Sequence, residues 1–499
     1  MSGVFNTGQS AYIRYHTGAD FSAATIIKLT YSGSGNDYYA DIPASANRYG
    51  TTVTYYFFTS GSGLTISNDD ADLFTINYLN NGGSNYSYQV NGTWLAESDG
   101  VWSSASTWNV NMVPPLSHSM GPVTIKSNVT FNQNATVSSL TINSDKTFTA
   151  SGSEPVTLTV DANASGTTLN NNGTWVQGNG GNTVVFSAGA DMTHTVSGEI
   201  PFQHVTISRS SGIPAVGVNF GSNSTVSGTL KLTVGSYVNT NAPTYLSGSY
   251  LQYSIGSAYD RNVEWSQNSG NAYPHHVKIS DNTTLNAFNG TTSPRQIAGN
   301  LIIDNGSTFS MGEMNLGGSY DVGIIIGGDT LLNKGTVTLS TSVERLQCNT
   351  YLGETGSTLI LSGVYGGDLE LKGDYTNLGN FTSNSRALFF TGSAGDQNIT
   401  FSGGQQFDYM IVHKSAGNVV LGNDIQINKL LTLTSGLITS KTGNSYSVIM
   451  GDSPDSPSIK NASAVSYIDG KLRQTFTSAM PLQYPVGKGG EYRPVTFEY

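Results

Sequence analysis

Apolar and polar residues alternate along this chain in bursts of roughly four to seven positions, closed by Gly, Asn, Asp or Ser, and nowhere hold a helical period. The pattern predicts an all-β protein. Its texture changes once. Up to about residue 90 the bursts are aromatic: Tyr12-Ile13-Arg14-Tyr15, Ile26-Ile27-Lys28-Leu29, Tyr38-Tyr39-Ala40-Asp41-Ile42 and Val53-Thr54-Tyr55-Tyr56-Phe57-Phe58. Strands at this spacing, joined by turns such as Ser32-Gly33-Ser34-Gly35-Asn36-Asp37, predict an immunoglobulin-like β-sandwich over residues 1–90.

Beyond residue 91 the unit shrinks to an apolar-polar-apolar triplet. Val123-Thr124-Ile125, Leu140-Thr141-Ile142, Leu230-Lys231-Leu232, Leu301-Ile302-Ile303, Val337-Thr338-Leu339 and Leu369-Glu370-Leu371 are examples. Each turns two side chains inward and one outward. Three such strands per coil predict a parallel β-solenoid over residues 91–465, in coils of roughly 20 to 25 residues. That makes about 15 to 19 coils and a rod on the order of 80 Å. A series of sandwiches in the second half is the competing architecture. A longer repeat favours the solenoid. Asn170-Asn171-Asn172-Gly173-Thr174-Trp175, running on to Val205-Thr206-Ile207, is echoed by Tyr375-Thr376-Asn377-Leu378-Gly379-Asn380-Phe381, running on to Met410-Ile411-Val412. A degenerate middle copy begins at Val263-Glu264-Trp265 and continues through Val277-Lys278-Ile279. Residues 466–499 read as the start of a further β module, so that the chain is expected to be part of a longer polypeptide.

Composition narrows the function. Charged residues are 11% of the chain, against roughly a quarter in typical domains. Hydroxyls and amides keep it in solution. The net charge of −11 is spread thinly, with no basic stripe for a phosphate backbone, so no nucleic-acid partner is expected. One cysteine, Cys348, excludes an internal disulfide framework. No run approaches the ~20 apolar residues of a membrane span, and Met1-Ser2-Gly3-Val4-Phe5 does not open a signal peptide.

Candidate chemistry is sparse. Asp69, Asp70 and Asp72 form the densest carboxylate cluster, and calcium is the one cofactor it suggests, although the spacing of a calcium loop is missing. Tyr38, Tyr39, Tyr55 and Tyr56 are candidates for stacking on sugar rings, set against ordinary core packing. His275-His276 is a poor chelate, since neighbours on a strand face opposite ways. No nucleophile elbow, zinc helix or phosphate loop occurs, so no catalytic residue is assigned.

Gly50-Thr51-Thr52-Val53-Thr54-Tyr55-Tyr56 and Asn68-Asp69-Asp70-Ala71-Asp72 resemble an immunoglobulin-like module of large exported proteins of Bacteroidota-type bacteria. Trp102-Ser103-Ser104-Ala105-Ser106-Thr107-Trp108 is similar to the start of their β-solenoid segments, and Leu388-Phe389-Phe390-Thr391-Gly392 to their repeat unit. The resemblance implies an extracellular or cell-surface location and type IX secretion, and it brings no catalytic residues. The expected function is therefore non-catalytic: a stalk or adhesin that binds glycans or surfaces. The alternative is a component of a carbohydrate-active enzyme, a polysaccharide lyase or hydrolase whose sandwich binds carbohydrate. Acids converging on one solenoid face would favour the enzyme. A flat, Thr-rich face with regular spacing would mark an ice- or crystal-binding surface.

Overall fold

The computed structural model describes residues 8–497 except 34, 36, 44–45, 48–50, 62–63, 91, 117–118, 153, 210–214, 319–320, 452–457 and 475–480. Ser34, Asn36 and Gly50, used above in turns and motifs, lie outside the described residues, as do Met1 to Phe5. The chain is all-β, 50% strand and 3% helix, and its body is a β-solenoid of about 14 turns among the described residues.

The triplets dictate this architecture. In Val129–Phe131, Leu301–Ile303 and Ala135–Val137 the outer two side chains are buried and the middle one is not. Their inward residues join one apolar core that runs from Ala96 to Ile468. Stacking in parallel register carries that core from coil to coil. One ladder persists throughout: Ala135–Val137 pairs with Thr157–Ala162, then Thr183–Ala188, His204–Ile207, Thr229–Thr233 and Tyr250–Ser254. It continues through His276–Ile279 and Leu301–Ile303 and on to Tyr375–Asn377 and Val419–Leu421. In most coils a second strand follows the ladder strand and a third precedes the next one, which gives three faces, while in others one long strand such as Ile425–Ser435 stands in for both.

Coils are less regular than the expected 20 to 25 residues. Leu301 pairs with Leu331, thirty positions on, and Leu331 with Tyr351, twenty on. Longer coils explain why the turns are fewer than expected; at ~4.8 Å each the rod is about 67 Å. The ladder also runs past residue 465, through Ile468–Asp469 to Val486–Lys488. Antiparallel pairing returns beyond it, where Val486–Lys488 meets Glu491–Tyr492 and Leu482–Tyr484 meets Val495–Phe497.

The long repeat proves to be one of corners rather than faces. Asn171 ends a strand that follows the ladder, whereas Asn377 ends a ladder strand. Both turn the chain identically: the side-chain oxygen accepts the N–H of Gly173 or Gly379 at 3.2 Å. Asn333 does the same for Gly335 at 3.1 Å. The two copies are thus displaced by one face. A three-sided coil solves each corner with the same chemistry, so a sequence unit fits at more than one of them. In the middle copy, Val263–Trp265 is a single 3-10 turn and Val277 to Ile279 lie in the ladder.

The N-terminal region is a five-stranded antiparallel sheet among the described residues. Gln9–His16 lies between Thr25–Lys28 and Thr52–Gly61, and the latter also pairs with Asn77–Leu79 and Tyr86–Gln89. Both faces are covered. Tyr12 and Phe58 pack against Ile66 and Ala71 of the chain around the short helix Ala71–Phe74. Ala11, Ile13 and Leu29 pack on the other side, near Tyr15, Ala46 and Val53. A separate pair, Thr30–Tyr31 with Tyr38–Tyr39, stands beside it.

Candidate functional site

The acidic cluster does not close on a metal. Asp72 is held by Arg14, Nη1 to Oδ1 2.8 Å, while Asp70 accepts the Ser67 hydroxyl at 2.5 Å and Asp69 faces solvent. Among the described residues no three His, Cys, Asp or Glu side chains are grouped to hold an ion. The carboxylates diverge because a short helix begins within the run.

Arg14, buried on the strand Gln9–His16, organises this surface instead. Its guanidinium donates to Tyr56 Oη at 2.9 Å and to Asn68 Oδ1 at 2.8 Å, and also to the carbonyls of Asn68 and Phe21. It lies over the Phe21 and Tyr56 rings. A cleft of about 410 Å³ opens alongside, lined by Tyr56, Asp72, Thr75, Ile76, Tyr78 and Asn80 among others.

The four candidate tyrosines do not converge. Tyr55 lies on the face opposite Tyr56, stacked on Tyr86 with centroids 5.5 Å apart and edge-on to Tyr88. Tyr38 packs on Tyr31 in the separate pair, and Tyr39 there is exposed. Tyr56 alone reaches the cleft. Its aromatic companion is Tyr78, 64% exposed, which the sequence reading passed over. The signal was available in the alternation of Asn77-Tyr78-Leu79 beside Tyr56 and Phe58, but only the pairing of Tyr78 with Phe58 makes it meaningful.

On the solenoid several carboxylates are engaged by neighbours. Arg345 lies between Asp321 at 3.3 Å and Glu370 at 3.6 Å, with its guanidinium 4.6 Å above the Phe389 ring. Glu344 accepts the Leu316 N–H at 2.9 Å. Glu264 accepts the Tyr253 hydroxyl at 3.0 Å and the Asn262 N–H at 2.8 Å. His276 accepts the Asn300 N–H through Nδ1, and burial pushes the Cys348 thiol up, away from the reactive thiolate.

A different surface stands out by its regularity. Ala258–Asp260, Thr284–Asn286, Thr308–Ser310, Thr336–Thr338, Thr358–Ile360 and Asn380–Thr382 stack in parallel as one face, six strands among the described residues, with no shift of register. Leu285, Phe309, Val337 and Leu359 point inward, fully buried, and anchor it. Two rows point out. The first is Ala258, Thr284, Thr308, Thr336, Thr358 and Asn380; the second is Asp260, Asn286, Ser310, Thr338, Ile360 and Thr382. Glycines at the corner let successive coils approach closely: a Cβ on Gly335 would overlap the carbonyl oxygen of Ser307, and one on Gly379 that of Ser357.

The fold thus defines a β-solenoid protein carrying an antiparallel N-terminal sheet. No family model, curated protein or solved structure matches the chain.

Proposed function

We propose that this is a non-catalytic extracellular protein of the adhesin or stalk type that holds on to extended surfaces, with the solenoid as a stiff spacer and the six-stranded face as its contact. The observation that carries this reading is the double row of mostly Thr, Ser and Asn side chains on an unbroken sheet, with one charge, Asp260, at its margin. Such a face offers many weak contacts at fixed spacing, which add up only against a partner that is itself repetitive. The N-terminal sheet, read as an immunoglobulin-like module, contributes a second, concave contact at the Tyr56–Tyr78 cleft, where aromatic rings and amides suit a sugar. Export to the cell surface rests on the resemblance of the sequence to large exported bacterial proteins.

The test is retention of the purified chain on ordered insoluble surfaces and on a soluble glycan array, with a reducing-end assay on the same samples. Retention without sugar release is the expected result. Release of soluble sugar, or retention on nothing, overturns the proposal.

A further inference from the structure

We infer that the ordered surface recognised by the six-stranded face is ice, an inference that rests on the surface-binding reading above. Parallel stacking repeats the outward rows every ~4.8 Å along the rod, and alternate residues of a strand lie ~6.7 Å apart across it. The face is therefore a two-dimensional lattice of side chains. Its first row carries Thr284, Thr308, Thr336 and Thr358 in succession. Their hydroxyls make no side-chain hydrogen bond to another described residue and are free to bond a water lattice. A β-branched side chain has few χ1 choices, so each hydroxyl and methyl is held at a defined place before binding. In the second row the side-chain oxygens of Asn286, Ser310 and Thr338 accept the N–H two residues on, which fixes their orientation as well.

The chemistry selects among ordered surfaces. A mineral face is gripped by carboxylates, and the two rows hold one, Asp260 at their margin. A crystalline polysaccharide offers flat sugar rings, which planar aromatic side chains cover, and neither row holds an aromatic. Ice presents hydroxyl-sized donors and acceptors at fixed spacing, with apolar voids between them that a threonine methyl can fill. A charged side chain would keep its own hydration shell and spoil the match. Thr with Ser and Asn, with the single charge confined to the margin, is what such a surface selects.

The test compares the wild-type chain with Thr308→Lys/Thr336→Lys on the face. Thr376→Lys/Thr400→Lys is the matched control, adjacent threonines pointing outward on the ladder face. Circular dichroism checks that all three are folded. The readouts are partition into growing ice, inhibition of ice recrystallisation, and binding to crystalline cellulose and chitin. The wild type and the control are expected to enter ice and inhibit recrystallisation, and the Thr308/Thr336 variant to lose about tenfold or more in effective concentration, the loss of a lattice-wide match rather than of one contact. Exclusion of the wild type from ice, or full activity of the Thr308/Thr336 variant, overturns the inference. Should the wild type instead bind cellulose or chitin through the same threonines, ice is wrong and the surface-binding reading stands. Binding to no surface defeats both.

Discussion

The amide of Asn333, fully buried, donates to the phenol oxygen of Tyr351 one coil further along at 2.9 Å. The same nitrogen donates to the Thr358 carbonyl at 2.9 Å, and the side-chain oxygen accepts the Gly335 N–H. One side chain therefore turns a corner and ties two coils together beneath the threonine rows. Asn333→Ala strands three polar groups in a dry core, a loss of about 3 kcal/mol or more. In a solenoid that loss stays near its coil. Native-state hydrogen exchange should show protection falling around residues 331–360 while the coils near residue 205 keep theirs; uniform protection would refute the role.

Gly379→Ala puts a methyl group against the Ser357 carbonyl and hydroxyl, backbone that cannot yield without moving a coil. The expected cost is about 1–3 kcal/mol. Gly404→Ala meets no atom within 4 Å and serves as the contrast, with stability unchanged. Urea denaturation of the two variants measures the difference directly.

These corners also show what a sequence can tell. Triplets such as Leu230-Lys231-Leu232 announce inward and outward residues because their period is local. The Asn-x-Gly corners are local too, which is why the Asn171 and Asn377 segments looked alike while lying on different faces. Which coil lies on which is not local. Thr284, Thr308, Thr336 and Thr358 are separated by 24, 28 and 22 residues, and only the pairing reveals one row. Arg14 meets Asp72 from 58 residues away, so its hold on the acidic cluster was invisible while Asp69, Asp70 and Asp72 looked like neighbours.

In the N-terminal sheet Arg14 should matter far more than its ion pair. Asp72 is 75% exposed, so Asp72→Asn is expected to cost under about 1 kcal/mol. Arg14→Met removes the bonds to Tyr56 and Asn68 together and should cost about 2 kcal/mol or more. All five tryptophans lie from Trp94 to Trp265. Their emission reports the solenoid, and peptide-resolved hydrogen exchange reports the sheet, because tyrosines such as Tyr253, Tyr351 and Tyr375 are buried in the solenoid as well. Arg14→Met should lower exchange protection in the strands Gln9–His16 and Thr52–Gly61 and leave the tryptophan transition in place.

His194 is buried, with Nε2–H donating to the Ser187 carbonyl at 2.9 Å and Nδ1 beside the Thr168 hydroxyl at 3.0 Å. Burial pushes its imidazole down from 6.5 to about 4, partly opposed by the Ser187 bond. The unfolded chain then binds a proton that the folded chain refuses, so the stabilisation is complete above pH 6.5 and is lost as pH falls toward 4. The loss amounts to about 3 kcal/mol. His204 and His276, also lowered by burial, add to it in the same sense. Unfolding free energy measured from pH 7 to pH 4 should slope less in His194→Asn than in the wild type; parallel curves would exclude a neutral His194.

Glu264 works in the opposite direction. Burial raises its carboxyl pKa, against the bonds from Asn262 and Tyr253 and the nearby Arg261 charge, whose own donors are taken up by the carbonyls of Ala287, Asn262, Trp265 and Phe288. Its Oε2 has no hydrogen-bond partner among the described residues. The folded chain therefore holds a proton that the unfolded chain has already released, so this contribution is complete below the unfolded value of 4.5 and is lost as pH rises toward the folded one. Glu264→Gln keeps the shape and removes the charge. Its thermal midpoint should exceed that of the wild type at pH 8 and converge with it at pH 4. A variant less stable at pH 8 would mean that Glu264 is ionised in the core and that Arg261, not burial, governs it.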